Sequence, residues 1–201
     1  SRNAADGVSL VQTAEGALDE VSTILLRMKE LAEQSMNGTL SNTDRTALNS
    51  EYGALQDEID RISSSAEFNG IKLLDGSGGS VAIQVGIATE TYDSIAIDLG
   101  DDLDSTGLDV GTGIDTSANA TTAMGEIDAA IETVSSSRAT FGAIQNRLDS
   151  SIRNIMNTSE NLSAANSRIR DVDVAAETSR MTSYQILQQA GISVLAQANM
   201  T

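Results

Sequence analysis

Apolar residues recur every seven positions through the first 36 residues. One seam contains Val11, Leu18 and Leu25, and parallel seams lie on either side of it. Such a broad apolar face allows a helix to pack against more than one neighbour. The pattern predicts a helix from about 2 to 36, ending at Asn37-Gly38.

A second seam with the same period follows a polar turn. It contains Leu48, Leu55 and Ile62 and predicts a helix over about 42–66. Ser41 with Asp44, or Thr43 with its neighbours, supplies the residue types that cap a helix start. Because the connection is short, we expect the first two helices to form an antiparallel pair.

The longest periodic run lies in the second half of the chain. Its apolar positions keep a spacing of seven through seven repeats: Ile127, Val134, Phe141, Leu148, Ile155, Leu162 and Ile169. The run predicts a helix over about 120–170, roughly 75 Å long at the standard rise per residue. Its companion positions are polar, so the stripe must be covered by the first two helices or by other copies of the chain. After Asp171 the register slips, and an amphipathic helix continues to 201 without an obvious partner.

Between the helical regions the period changes from seven to two. Residues 68–100 alternate around turn signals such as Asn69-Gly70, which predicts short β-hairpins. Residues 100–122 have loop composition, rich in Asp, Gly, Thr and Ser. The predicted fold is therefore mainly α with a small β element: an elongated antiparallel helical bundle, or coiled-coil rod, with short β-hairpins at one end.

Composition and charge exclude several classes of function. The chain has 201 residues, 2% aromatic residues and neither Cys nor His, which excludes thiol nucleophiles, imidazole bases and zinc sites of the usual ligand types. The net charge of -17 disfavours binding to nucleic acid and to anionic membrane surfaces. The chain begins without Met, within a predicted helix, so we interpret it as part of a longer protein.

Three arrangements could carry chemistry, and each has a plainer interpretation. The acidic run Asp98, Asp101, Asp102 and Asp104 could hold calcium, but its spacing does not match a helix-loop-helix calcium site. Neither lysine, Lys29 nor Lys72, lies in a Ser-x-x-Lys motif, and the glycines at 76–79 are not followed by Lys-Ser/Thr. We therefore expect no enzyme activity, no metal and no cofactor.

One polar stripe is a candidate contact surface. Arg27, Glu30 and Gln34 lie on the polar side of the first predicted helix, with Leu31 at the edge of its apolar face. A charged stripe of this kind is usually only solvated, so the residues alone leave both interpretations open.

Several motifs, in order, are similar to those of bacterial flagellins. They span nearly the whole chain except about 100–122: residues 1–7 (SRNAADG), 12–18 (QTAEGAL), 26–32 (LRMKELA), 58–62 (EIDRI), 68–74 (FNGIKLL), 167–171 (SRIRD), 185–191 (QILQQAG) and 194–199 (VLAQAN). The resemblance implies a flagellin rod domain over 1–173, with its variable region reduced near 100–122. It also implies that 174–201 begins the C-terminal helix of the filament core, which an N-terminal helix outside this chain would accompany.

The resemblance further implies a secreted, extracellular structural subunit that polymerises with other flagellin subunits and meets an export chaperone and a cap protein. In many flagellins, the region matching Arg27, Glu30, Leu31, Gln34 and Glu58 is recognised by Toll-like receptor 5, so these residues are receptor-contact candidates. We expect Arg27→Ala with Leu31→Ala to abolish receptor signalling without unfolding the helix.

The residues alone are also consistent with three other classes of protein. A hook–filament junction protein of the same superfamily shares the terminal pattern. A coiled-coil adhesin or receptor segment predicts no hairpins between the helices, and an acidic calcium-dependent hydrolase predicts metal-dependent stability.

Overall fold

The computed structural model describes residues 2–86, 90–170 and 174–199. By internal contacts the chain divides into two compact units, residues 1–155 and 156–201, and each is described by itself. This division by contacts falls inside a helix, between residues 155 and 156. The sequence instead predicts a domain boundary between residues 173 and 174. That predicted domain assignment stays a prediction.

Three helices form the frame of the first unit. They are α1 (Arg2–Met36), α2 (Asn42–Ser65) and the part of α3 (Ser117–Arg170) that precedes residue 156. Ser41 caps α2 with a capping box: its hydroxyl accepts from the Asp44 amide, and the Asp44 carboxylate accepts from the Ser41 amide. A five-residue turn over 37–41 joins α1 to α2.

The α1–α2 turn is fixed by a buried arginine. The Arg45 guanidinium donates to the carbonyl oxygens of Ser35 (2.9 Å), Leu40 (3.0 Å) and Asn37 (2.9 Å). Because the last carbonyls of a helix have no partner within the helix, this side chain supplies the donors that they lack.

In the part of the chain that the structure describes, four short strands form two antiparallel pairs near the start of α1. β1 (Glu67–Phe68) pairs with β2 (Ile71–Lys72), and β3 (Gly79–Gln84) pairs with β4 (Ser94–Leu99). Asn69 and Gly70 have positive φ values of 51° and 79°, which suit the tight turn between β1 and β2. The Asn3 side-chain amide donates to the Gln84 carbonyl, and this bond ties β3 to the first turn of α1.

The core runs along α1. Val11, Leu18, Leu25, Ile127, Val134, Phe141 and Leu148 are buried, while Leu48, Leu55 and Ile62 are half-buried against the same cluster. The α3 seam leaves the core after Leu148: Ile155 is half-buried, Leu162 is 65% exposed and Ile169 is 84% exposed. These last two positions therefore add nothing to the core of this chain, and their role in self-assembly stays a prediction.

The segment before α3 confirms the predicted loop, because no helix or strand lies between β4 and α3. The sequence did not indicate its burial: Leu103, Leu108, Val110 and Ile114 are all buried. α3 begins at Ser117, slightly earlier than predicted. The segment is thus a part of the core that has no regular secondary structure.

The second unit contains the end of α3 and α4 (Val174–Ala198). No residue is buried within its described ranges with assigned exposure, 156–170 and 175–199. None of the described helices is long and apolar enough to cross a membrane.

Candidate interaction surfaces

The polar stripe on α1 continues onto α2. Arg27 donates to Glu51 on α2 through Nε (3.0 Å) and Nη2 (2.7 Å), and to Glu30 through Nη1 (2.9 Å). Hydrogen bonds to Glu51, then to Glu30, raise the pKa of Arg27. About half of the Arg27 side chain, 49%, stays exposed, so the pair of carboxylates holds the guanidinium in place at the surface.

Glu51 was missed by the sequence analysis. Its position could have been found from the predicted antiparallel pairing, because an exposed acidic residue on α2 then faces Arg27 across the helix pair.

Leu31 does not belong to this surface. It is 1% exposed and lies in the core with Ala32 and Met28. We therefore withdraw Leu31 as a receptor-contact candidate. The double variant Arg27→Ala with Leu31→Ala is also unsuitable, because truncating a buried leucine destabilises the fold by about 2–5 kcal/mol.

The other two candidates lie at the surface. Gln34 is exposed on α1, and Glu58 is partly exposed on α2. Glu58 accepts from Arg61 Nε (2.8 Å) and Nη2 (2.6 Å), and these hydrogen bonds lower the pKa of Glu58. The described surface thus contains Arg27, Glu30, Gln34, Glu51 and Glu58.

A second polar surface is a groove between α1 and α3. It has a volume of about 370 Å³ and is lined by Gln12, Glu15, Gly16, Asp19, Arg138 and Gln145. Asp19 and Arg138 form an ion pair across it at 3.0 Å. In the sequence, Arg138 and Gln145 are polar companions of the α3 seam, and nothing in the pattern connects them with α1.

Large apolar side chains are exposed throughout the second unit. On α3 they include Met156, Leu162 and Ile169, and on α4 Met181, Tyr184, Ile186, Leu187, Ile192, Val194 and Leu195. The α4 residues point to most sides of the helix instead of one face, which corrects the predicted amphipathic pattern. A helix that is apolar on most sides is normally surrounded by other protein.

The residues considered for chemistry have structural contacts. Asp98, Asp102 and Asp104 accept hydrogen bonds from backbone amides two or three residues further on, as turn-forming aspartates do. Lys29 pairs with Asp128, and Lys72 pairs with Glu67 at 3.0 Å. Within the described ranges, no three acidic side chains form a group that could hold a metal ion.

The fold and its surfaces define a class: a mainly α-helical structural protein that exposes a polar stripe, a polar groove and many large apolar side chains. Comparison with known proteins gives the family. The model of the bacterial flagellin N-terminal helical region matches residues 1–78, and that of the C-terminal helical region matches residues 124–201.

Comparison with individual relatives gives the same family. A flagellin of Halalkalibacterium halodurans is 47% identical over 202 residues, covering 99% of this chain and 73% of the relative. The crystal structure of Bacillus cereus flagellin superposes with a TM-score of 0.68 at 37% identity, covering 82% of this chain and 94% of that one. The chain belongs to the bacterial flagellin family, and its function is that of a structural subunit of the flagellar filament.

The fold alone does not separate flagellins from hook-associated proteins. A suspected flagellar hook-associated protein of Vibrio parahaemolyticus has a TM-score of 0.66 at 16% identity, covering 82% of this chain and 87% of that one. The distinction rests on the two family models and on the much higher identity to flagellins.

Proposed function

We propose that the exposed apolar residues after Ile155 join this subunit to its neighbours in the filament. The observation that carries the proposal is the exposure of ten large apolar side chains among the described residues from Met156 to Leu195. Apolar surface of this extent stays exposed in few monomeric proteins, and its burial would drive association. An isolated helix is also marginal in water, so neighbouring subunits would stabilise α4 as they cover it.

Charged substitutions on α4 test this proposal. Leu187→Asp with Leu195→Asp places two carboxylates on exposed apolar positions, and Gln188→Asp with Gln197→Asp adds the same charge at polar positions of the same helix. Each variant is expressed as the complete flagellin subunit, with the terminal segments that the family resemblance implies, in a bacterium that lacks its own flagellin. Filaments are counted by electron microscopy. We expect filaments from the Gln variant and none from the Leu variant, while circular dichroism shows both to be folded. Equal filament yield from the two variants would contradict the proposal.

Four finer expectations accompany this proposal. A secreted subunit with an exposed apolar helix needs a partner to cover that helix before assembly, which favours an export chaperone. Addition of subunits at a filament end favours a cap protein. We infer an extracellular location from the filament role, and we infer a purely structural role because the family is a structural one.

We further propose that Toll-like receptor 5 recognises the surface formed by Arg27, Glu30, Gln34, Glu51 and Glu58. The supporting observation is the fixed geometry of the exposed Arg27 guanidinium between two carboxylates. Arginine held in place at a surface is a common centre of binding energy in protein interfaces.

Receptor recognition is tested with a variant that spares the core. Arg27→Ala should reduce signalling in receptor-expressing reporter cells at least ten-fold. Arg153→Ala, which removes an exposed arginine from α3, should leave signalling unchanged. Unaltered signalling from Arg27→Ala would remove this surface from consideration.

A further inference from the structure

We propose that the polar groove between α1 and α3 binds the side chain of Arg147 from a neighbouring copy of this chain. The inference rests on the proposed function, since it assigns one of the contacts through which copies assemble. It concerns the first unit and is independent of the apolar residues after Ile155.

The groove presents acceptors that lack partners. Glu15 is partly buried, and within the described chain it makes no hydrogen bond or ion pair; the same holds for the amides of Gln12 and Gln145. Asp19 is already paired with Arg138. A guanidinium has five donors in a fixed plane, so one carboxylate and two amide oxygens around a groove of about 370 Å³ suit it.

Gly16 keeps the groove open. A Cβ built at Gly16 would have no atom within 4 Å, so the bundle itself does not require glycine there. Glycine in a helix interior costs about 1 kcal/mol relative to alanine. In the proposed contact, the missing side chain lets the incoming arginine lie against the α1 backbone.

Arg147 is one of few cations free to bind a neighbour. Six of the nine basic residues before 156 already have partners in this chain: Arg27, Lys29, Arg45, Arg61, Lys72 and Arg138. Arg147 and Arg153 are exposed on α3 and have no partner among the residues that the structure describes. Because each copy carries a net charge of -17, close packing of copies requires such cations to meet carboxylates.

Helix geometry selects Arg147 over Arg153. Arg147 lies two residues after Gln145, about 200° around α3, whereas Arg153 lies only about 80° from it. Arg147 therefore faces away from the groove of its own chain and towards a neighbour on the opposite flank. A contact between different surfaces of successive copies does not close on itself and extends into an open assembly.

A cysteine pair tests the contact directly, because the chain contains no cysteine of its own. Filaments are grown under reducing conditions from the complete flagellin subunit with Glu15→Cys and Arg147→Cys, then oxidised and run on a denaturing gel. We expect a ladder of covalent dimers, trimers and longer species. The control pair Glu20→Cys with Arg147→Cys, whose first site lies on α1 about 140° from Glu15, should give no ladder.

A charge exchange covers the case in which the cysteine chain does not assemble. Glu15→Arg and Arg147→Glu should each lower filament yield at least ten-fold, and the double variant should restore it; Glu20→Arg and Arg153→Glu are the matched single controls. Normal filaments without a ladder, or single variants that the double variant does not rescue, would overturn this contact while leaving the filament role intact. Failure of the complete flagellin subunit without these substitutions to form filaments would instead count against the proposed function and remove the basis of this contact.

Discussion

Tyr52 is the largest of the fully buried side chains in the described chain, and its hydroxyl has no hydrogen-bond partner. Burial, and then the nearby Glu126 carboxylate, raise the pKa of Tyr52 to about 12. The ring fills the space between α2 and the rest of the core, so its apolar part stabilises the fold while its polar atom opposes it.

Tyr52→Phe is therefore expected to raise the free energy of unfolding by about 1 kcal/mol at pH 7, since it removes an unsatisfied hydroxyl and keeps the ring. The neutral phenol is favoured in the folded state, so the stability linked to its raised pKa is lost as pH rises from about 10 to about 12. The phenylalanine variant should not show this loss. Urea denaturation at pH 7 measures the gain in stability, and the same measurement at pH 11 shows whether the loss at high pH is absent. Tyr184→Phe, at an exposed site, is the control. A Tyr52→Phe variant that is less stable than the unchanged chain at pH 7 would contradict the predicted gain.

The stability that Asp44 contributes depends on pH in the opposite direction to that of Tyr52: it is lost at low pH. Hydrogen bonds from the Ser41 side chain and then its backbone lower the pKa of Asp44. The folded state favours the carboxylate, so this stability is present above the ordinary value of about 4 and is lost as pH falls below it.

Asp44→Asn should consequently remove part of the acid sensitivity. We expect the melting temperature of the unchanged chain to fall more steeply between pH 5 and 3 than that of the Asn variant. Asp57→Asn, at an exposed position of the same helix, serves as the control and should follow the unchanged chain. Parallel curves for all three would show that the capping carboxylate is not responsible.

At the scale of elements, the segment from Leu103 to Ile114 has the least regular pattern and a large effect on the core. Side chains of α1 and α2 form hydrogen bonds with its backbone. From α2, Asp60 accepts from the Ser105 amide at 2.8 Å, Asn49 accepts from the Ile114 amide at 2.6 Å, and Gln56 donates to the Val110 carbonyl. From α1, Ser35 donates to the Ile114 carbonyl. These side chains replace the hydrogen bonds that a helix or strand would supply.

Asn49→Ala should destabilise the first unit by about 1–2 kcal/mol, because the Ile114 amide next to a buried side chain loses its acceptor. Chemical denaturation followed by circular dichroism measures the change. Asn157→Ala, at an exposed position of α3, should have almost no effect. Equal stability of the two variants would show that the segment does not depend on its contact with α2.

At the scale of the whole molecule, the two units differ in how their helices are stabilised. The first unit buries a continuous core along α1, whereas the described part of the second exposes its apolar residues. Helices without tertiary packing have little protection against local opening.

Hydrogen exchange should therefore separate the units. In the free subunit, amides over 174–199 should exchange at least a hundred-fold faster than those of Val11 to Leu25. In assembled filaments the α4 amides should become protected, because neighbouring subunits cover them. Equal protection in the two states would mean that α4 is not buried by assembly.

The sequence by itself determined the helices and the hairpins. Apolar residues at a spacing of seven, turn residues such as Asn69-Gly70 and the capping pair Ser41 and Asp44 act within a few residues of each other, so their effect on the backbone can be read from order alone. The family resemblance came from the same local strings.

Tertiary structure decided which of those residues are buried. Leu31 and Ile169 belong to equally apolar patterns, yet the first is enclosed by the core and the second is exposed. The segment from Leu103 to Ile114 and the groove beside Glu15 depend on residues that are far apart in the chain. Burial depends on which distant surfaces meet, and periodicity describes only which side of an element is available to be covered.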